Sequence, residues 1–104
     1  LHDALPISLG LEQSGCCALV LEKVPAEVAA RVAEALRIPV IGIGAGSGVD
    51  GQVLVSQDML GMEDGFSPKF LRRFAQLGDL IKGAVSDYIT AVKERSFPSE
   101  SESY

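Results

Sequence analysis

Residues 18–25 read ALVLEKVP, and the reading of the whole chain depends on them. Ala18, Leu19, Val20 and Leu21 make an apolar run of strand length that stops at Glu22, and Pro25 suits the first turn of a following helix. A run with no polar alternation predicts a strand covered on both faces. A carboxylate at the end of such a run is costly to bury, so Glu22 needs an explanation.

Upstream, residues 16–22 (CCALVLE) extend the predicted strand, and residues 9–15 (LGLEQSG) read as the end of a helix closing on Gly15. Downstream, AEVAARVAEALR sets Val28, Val32, Ala35 and Leu36 at helical spacing, with Glu27, Arg31 and Glu34 elsewhere, until Pro39 ends it. Residues 39–43 (PVIGI) predict a second buried strand, residues 44–51 (GAGSGVDG) a glycine-rich loop, and residues 52–56 (QVLVS) a third strand. Apolar strands alternating with a helix predict an α/β fold with a parallel sheet. The loop 44–51 is short for a parallel crossover, which takes a dozen or more residues, so pattern alone leaves a hairpin open for the last two strands.

Beyond them, residues 56–66 (SQDMLGMEDGF) read as irregular loop. Ser67 and Pro68 predict a helix start, with a stripe of Phe70, Leu71, Phe74 and Leu77 and a break at Gly78. Asp79 is then the predicted cap of a last helix bearing Ile81, Ala84, Val85, Tyr88, Ile89 and Val92, and the polar tail SFPSESESY is expected to fray. Three strands leave sheet edges unprotected, which suggests the end of a larger fold, with a (β/α)8 barrel as its natural parent.

The 104 residues are 47% apolar and 22% charged, the composition of a globular domain. A net charge of −5, with no basic cluster longer than Arg72-Arg73, argues against nucleic-acid binding. No apolar run approaches the roughly 18 residues that span a bilayer. Cys16 and Cys17 are adjacent, so on a strand they point to opposite faces and cannot bridge each other. They read as small buried residues in a reducing compartment, hence a cytoplasmic protein. The opening LHDALPIS equals the translation of CTA CAC GAC GCT CTT CCG ATC T and two further bases, which reads as a sequencing adapter. Residues 1–8 are therefore expected to be a non-native leader, with a partial barrel domain at 9–96 and a polar tail at 97–104, and His2 is given no role.

The glycines of GIGAGSG, residues 42–48, do not make a dinucleotide fingerprint, because Ser47 stands where the third glycine belongs and no long helix opens after it. A tight turn and a site-lining loop both remain open for them. Glu22 falls at the C-terminal end of its strand, where barrel enzymes carry catalytic groups. Apolar neighbours would raise its pKa and suit it as a general base; a salt bridge with Lys23, or with a partner in the missing part of the fold, is the structural alternative. Asp58 reads as a loop cap, Asp50 as a turn residue, and Lys69 as a cation at an unfavourable helix end.

ALVLEKVP, AEVAARVAEALRIPVIGIGAG, DGQVLVSQDMLGM, FSPKFLRRFA and the terminal FPSESESY together resemble the ketopantoate (3-methyl-2-oxobutanoate) hydroxymethyltransferase family, in order and spacing, over residues 9–104. The resemblance implies a (β/α)8 TIM barrel of which this chain is the C-terminal part, about strands six to eight with their helices. It implies hydroxymethyl transfer from 5,10-methylenetetrahydrofolate to 3-methyl-2-oxobutanoate, giving 2-dehydropantoate for pantothenate and coenzyme A synthesis. The family's base is the glutamate of the VLExVP motif, here Glu22. Its magnesium is held by residues on earlier strands, so no residue of this chain is expected to bind metal or cofactor. A homo-oligomer acting on a small keto acid and a folate, with no nucleic-acid or membrane partner, is implied, and the chain by itself is expected to be inactive. Two rivals stand beside this reading: a phosphate-binding barrel enzyme of another family using GIGAG as its cradle, and a non-enzymatic small α/β interaction domain.

Overall fold

The computed structural model describes residues 3–63, 65 and 67–104. They form two units: the residues up to Val55 together with Ser67–Leu71, and the remainder from Ser56 onward.

The first unit runs α1 (Ala4–Gln13), β1 (Leu19–Glu22), α2 (Ala26–Ala35), β2 (Val40–Ile43) and β3 (Gly51–Gln52). The strands lie in the order β1-β2-β3 and both pairings are parallel, with Leu19 opposite Val40, Glu22 opposite Ile43 and Ile41 opposite Gly51. This excludes the hairpin that the short loop allowed. The return is possible over so few residues because β3 pairs for only two residues, and because Asp50 substitutes for a strand neighbour. Its carboxylate accepts the Val40 N–H at 2.8 Å while its own N–H donates to the Val40 carbonyl at 2.9 Å. The third strand is thus shorter than the predicted 52–56, although the Val53 N–H still reaches the Gly42 carbonyl at 2.9 Å.

On α2, Ala29, Val32 and the following Leu36 recur at helical spacing and turn to the sheet, where Leu21, Val40 and Ala45 complete the core. Val32 and Val40 are fully buried, each worth about 1.5–3 kcal/mol over exposure. Leu5 and Leu9 of α1 pack against the same core. The helix starts at Ala4, inside the segment set apart above as a leader, and Pro6 lies in its first turn, where the missing N–H costs nothing. Near the end of α1, the Glu12 carboxylate accepts the N–H groups of Arg37 (2.6 Å) and Ile38 (3.1 Å), fixing the passage from α2 into β2. Cys16 and Cys17 depart from expectation. β1 begins only at Leu19, so both cysteines lie in the preceding loop, Cys16 half-buried and Cys17 exposed, as free thiols.

The second unit holds α3 (Ser56–Met59), α4 (Leu77–Lys93) and a 3-10 turn at Glu100–Glu102. The helix predicted from Ser67 does not form. Within it the Leu71 N–H makes a local bond to the Pro68 carbonyl (3.0 Å) and the Phe74 N–H donates to the Met59 carbonyl (2.7 Å); the helix that does form starts at Leu77, whose N–H and that of Gly78 reach the Leu60 (3.0 Å) and Gly61 (2.8 Å) carbonyls. Gly78 is therefore no helix break. It is buried in the first turn of α4, where a Cβ would stand 3.0 Å from the carbonyl oxygens of both Gly61 and Met62. Arg72-Arg73 accordingly lies on no helix face; the Arg72 guanidinium sits 5.7 Å from the Phe74 ring centre, and Arg73 donates to the Glu63 carbonyl at 3.2 Å. The tail does not fray either. Ser99 and Glu102 form a reciprocal capping box around its turn, and Phe97 meets Tyr88 edge-on at 5.6 Å. Among the described residues no helix is long and apolar enough to cross a membrane.

Candidate functional site

Strand alternation divides β1 between two environments. Leu21 points into the core beneath α2, while Val20 and Glu22 lie on the opposite face and are exposed. β2 repeats the division: Val40 and Gly42 are buried, while Ile41 and Ile43, which pair with Val20 and Glu22, are half-buried. The face away from α2 therefore carries three branched aliphatic side chains and one carboxylate, and that carboxylate stands at the C-terminal rim. Glu22 is exposed, so the dry surroundings expected for it are not found among the described residues. The apolar run reflects the sheet's composition and does not enclose the glutamate here.

The rim around Glu22 is built by close backbone approach. After Glu22 the chain turns at Lys23, whose N–H donates to the Ile43 carbonyl at 2.9 Å. Beyond Ile43 the glycine loop leans on the start of α2. Gly46 has φ +80, and a Cβ there would fall 2.5 Å from the Ala26 Cβ; at Gly48 it would fall 2.8 Å from the Ala30 Cβ. The Gln52 amide closes the loop by donating to the Gly46 carbonyl at 2.7 Å. Packing against a helix thus accounts for these glycines without a bound phosphate. Phe70, on the segment that returns to this unit, lies against Gly44, where a Cβ would stand 2.9 Å from its ring.

Of the other residues singled out in the sequence, Asp50 is a structural bridge to Val40, as described. Asp58 is half-buried in the single turn of α3, and Lys69 is exposed in an irregular segment. No signal in the sequence pointed to Glu12, whose carboxylate holds two backbone N–H groups, or to the part that Lys23 plays through its backbone. Among the described residues no three His, Cys, Asp or Glu side chains come together in a way that could hold a metal ion.

Comparison with known proteins bears on this arrangement. The family model described as ketopantoate hydroxymethyltransferase matches residues 4–100. The 3-methyl-2-oxobutanoate hydroxymethyltransferase of Parabacteroides distasonis is 67% identical over 94 residues, covering 90% of this chain and 34% of that protein. The proteins of the same name from Phocaeicola vulgatus and Salinibacter ruber are 62% and 56% identical over 94 residues, again 90% of this chain and 34% and 36% of theirs. The chain thus spans about a third of the length of the curated relatives it matches.

Proposed function

The chain belongs to the ketopantoate hydroxymethyltransferase family, and from that premise we propose that the full protein transfers a hydroxymethyl group from 5,10-methylenetetrahydrofolate to 3-methyl-2-oxobutanoate, with Glu22 as the base. One observation carries the assignment. Glu22 is the last residue of β1, on the sheet face turned away from α2. In a barrel whose helices lie outside, that face is the interior and that strand end is where catalytic groups stand. The (β/α)8 architecture, with these as its last three strands, belongs to the same proposal. So do a homo-oligomeric state, supported by the uncovered apolar stripe of α4, and a cytoplasmic location.

The chemistry follows from the substrate. Carbon 3 of 3-methyl-2-oxobutanoate is adjacent to the ketone, so removing its proton leaves an enolate whose carbon can bond to the methylene carbon of the folate, with water supplying the hydroxyl and tetrahydrofolate leaving as the carbon–nitrogen bonds break. A carboxylate within hydrogen-bond reach of that proton accepts it and returns a proton at the end of the cycle. Magnesium, implied by the family resemblance, would stabilise the enolate oxygen when bound. The described residues of this chain do not fit a site for it. Of the rival readings, the phosphate cradle loses its support, because the loop's glycines are accounted for by packing: Gly42 against Val49, Gly44 against Phe70, and Gly46 and Gly48 against α2.

The test is made in a protein of the relatives' full length carrying this chain. Glu22→Gln keeps side-chain volume and removes the base. Turnover is expected to fall on the order of 10²- to 10⁴-fold, with folding and magnesium binding retained. Solvent deuterium exchange into 3-methyl-2-oxobutanoate without folate isolates proton abstraction. Exchange by the glutamine variant at the unmutated rate would remove Glu22 as the base. Light scattering on the same protein tests the oligomer, and a strictly monomeric mass would count against it.

A further inference from the structure

Lys23 breaks the rhythm of β1. Successive strand residues alternate between faces, so Val24 belongs on the same face as Val20 and Glu22. Instead Val24 packs against the core cluster on the α2 side, while Glu22 stays on the open face. The change of phase falls on the one residue between them. Lys23 has φ +52, in the left-handed region that a non-glycine side chain seldom enters. Its N–H is nevertheless held, donating to the Ile43 carbonyl at 2.9 Å, and Ile43 is the register partner of Glu22. A non-glycine backbone kept in this region persists only where its surroundings over-determine it, and such residues cluster at functional sites.

We propose that Lys23 is a positioning residue, whose left-handed backbone, and not its ammonium group, ends β1 at Glu22 and holds that carboxylate on the open face while Val24 is anchored on the other. Ordinary extended backbone at residue 23 would force a choice. Either Val24 leaves the core, or β1 rotates and Glu22 turns away from the open face. The inference rests on the assignment of Glu22 as base, and the experiment separates the two.

Deuterium exchange into 3-methyl-2-oxobutanoate without folate is measured per folded molecule, in a protein of the relatives' full length carrying this chain, alongside melting curves. Lys23→Gly and Lys23→Asn enter the left-handed region readily and carry no charge, so both are expected to exchange within about threefold of the unmutated rate. Lys23→Val resists that region. Its exchange is expected to fall on the order of 10- to 100-fold with KM for the keto acid unchanged, as a displaced base requires. Glu22→Gln is run in parallel. If it has lost exchange while folded Lys23→Val exchanges at the unmutated rate, the positioning role is overturned and the base assignment survives. If Glu22→Gln exchanges normally, both are overturned. Should Lys23→Val be too unstable to purify, Lys23→Gly decides: retained exchange without the charge supports the proposal, and a tenfold loss overturns it.

Discussion

At Gly61 a single hydrogen atom decides whether two segments can meet. Its φ is +64, and a Cβ built there collides with the Ala75 carbonyl oxygen. The same approach lets Gly78 donate to the Gly61 carbonyl. Gly61→Ala therefore combines a left-handed alanine with a backbone clash that no side-chain rotation relieves, and thermal unfolding of the full-length protein is expected to show a loss of about 2 kcal/mol or more. Gly83 supplies the contrast. It lies inside α4 with nothing within 4 Å of a Cβ, so Gly83→Ala is expected to stabilise by about 0.5–1 kcal/mol in the same measurement. Asp50 carries a third local constraint, because its carboxylate is the acceptor for the N–H of fully buried Val40. Asp50→Ala leaves that donor without its partner, at a cost of about 1–3 kcal/mol in denaturant unfolding. Asp50→Asn keeps an acceptor oxygen and is expected to recover most of it.

Among the elements, the C-terminal turn responds to pH. Glu102 accepts the Ser99 N–H at 2.7 Å, and this backbone bond, with the Ser99 hydroxyl second, holds its carboxyl below the usual carboxylate range. A carboxyl whose folded pKa is depressed contributes stability above its unfolded pKa and loses it as pH falls through the folded one. The turn at Glu100–Glu102 is therefore expected to be formed at neutral pH and to open on acidification, below the ordinary range of a glutamate. The Ser99 amide resonance followed against pH reads this directly, and Glu102→Gln should remove the titration. The capping box was written in the sequence as a serine followed three residues later by a glutamate, yet the tail reads as frayed because its polar composition dominates. The opposite holds for β1, α2 and β2, where apolar period and the punctuation of Pro25 and Pro39 agree, and their order is legible. In the predicted helix at 67–77 the Phe74 N–H bonds to the Met59 carbonyl, and no local pattern encodes a partner so distant in sequence. Glu22 is legible as a carboxylate at a strand end. The backbone that aims it is not, since a left-handed lysine leaves no mark on composition or spacing.

For the molecule as a whole, the uncovered surfaces bear on what this chain can do by itself. The sheet has three strands, with β1 and β3 each paired on one side only. Its open face shows Val20 at 58% exposure, and the stripe of α4 shows Val85 at 51% and Tyr88 at 57%, where residues at helical spacing ought to be covered. Among the described residues, six make the buried core of the first unit, too few to offset the ordering of a chain this long by a wide margin. The purified 104-residue chain is thus expected to unfold without a sharp cooperative transition and to bind a hydrophobic dye in native buffer. Chemically, it carries the proposed base Glu22 but, among the described residues, no group able to hold a metal, and proton removal next to a ketone needs the developing oxygen charge stabilised as well as the proton accepted. Incubated with 3-methyl-2-oxobutanoate, 5,10-methylenetetrahydrofolate and magnesium, the chain should form 2-dehydropantoate no faster than the enzyme-free mixture. Product above that background would mean that Glu22 and its immediate rim suffice, and that the acidic residues expected on earlier strands are not required for the reaction.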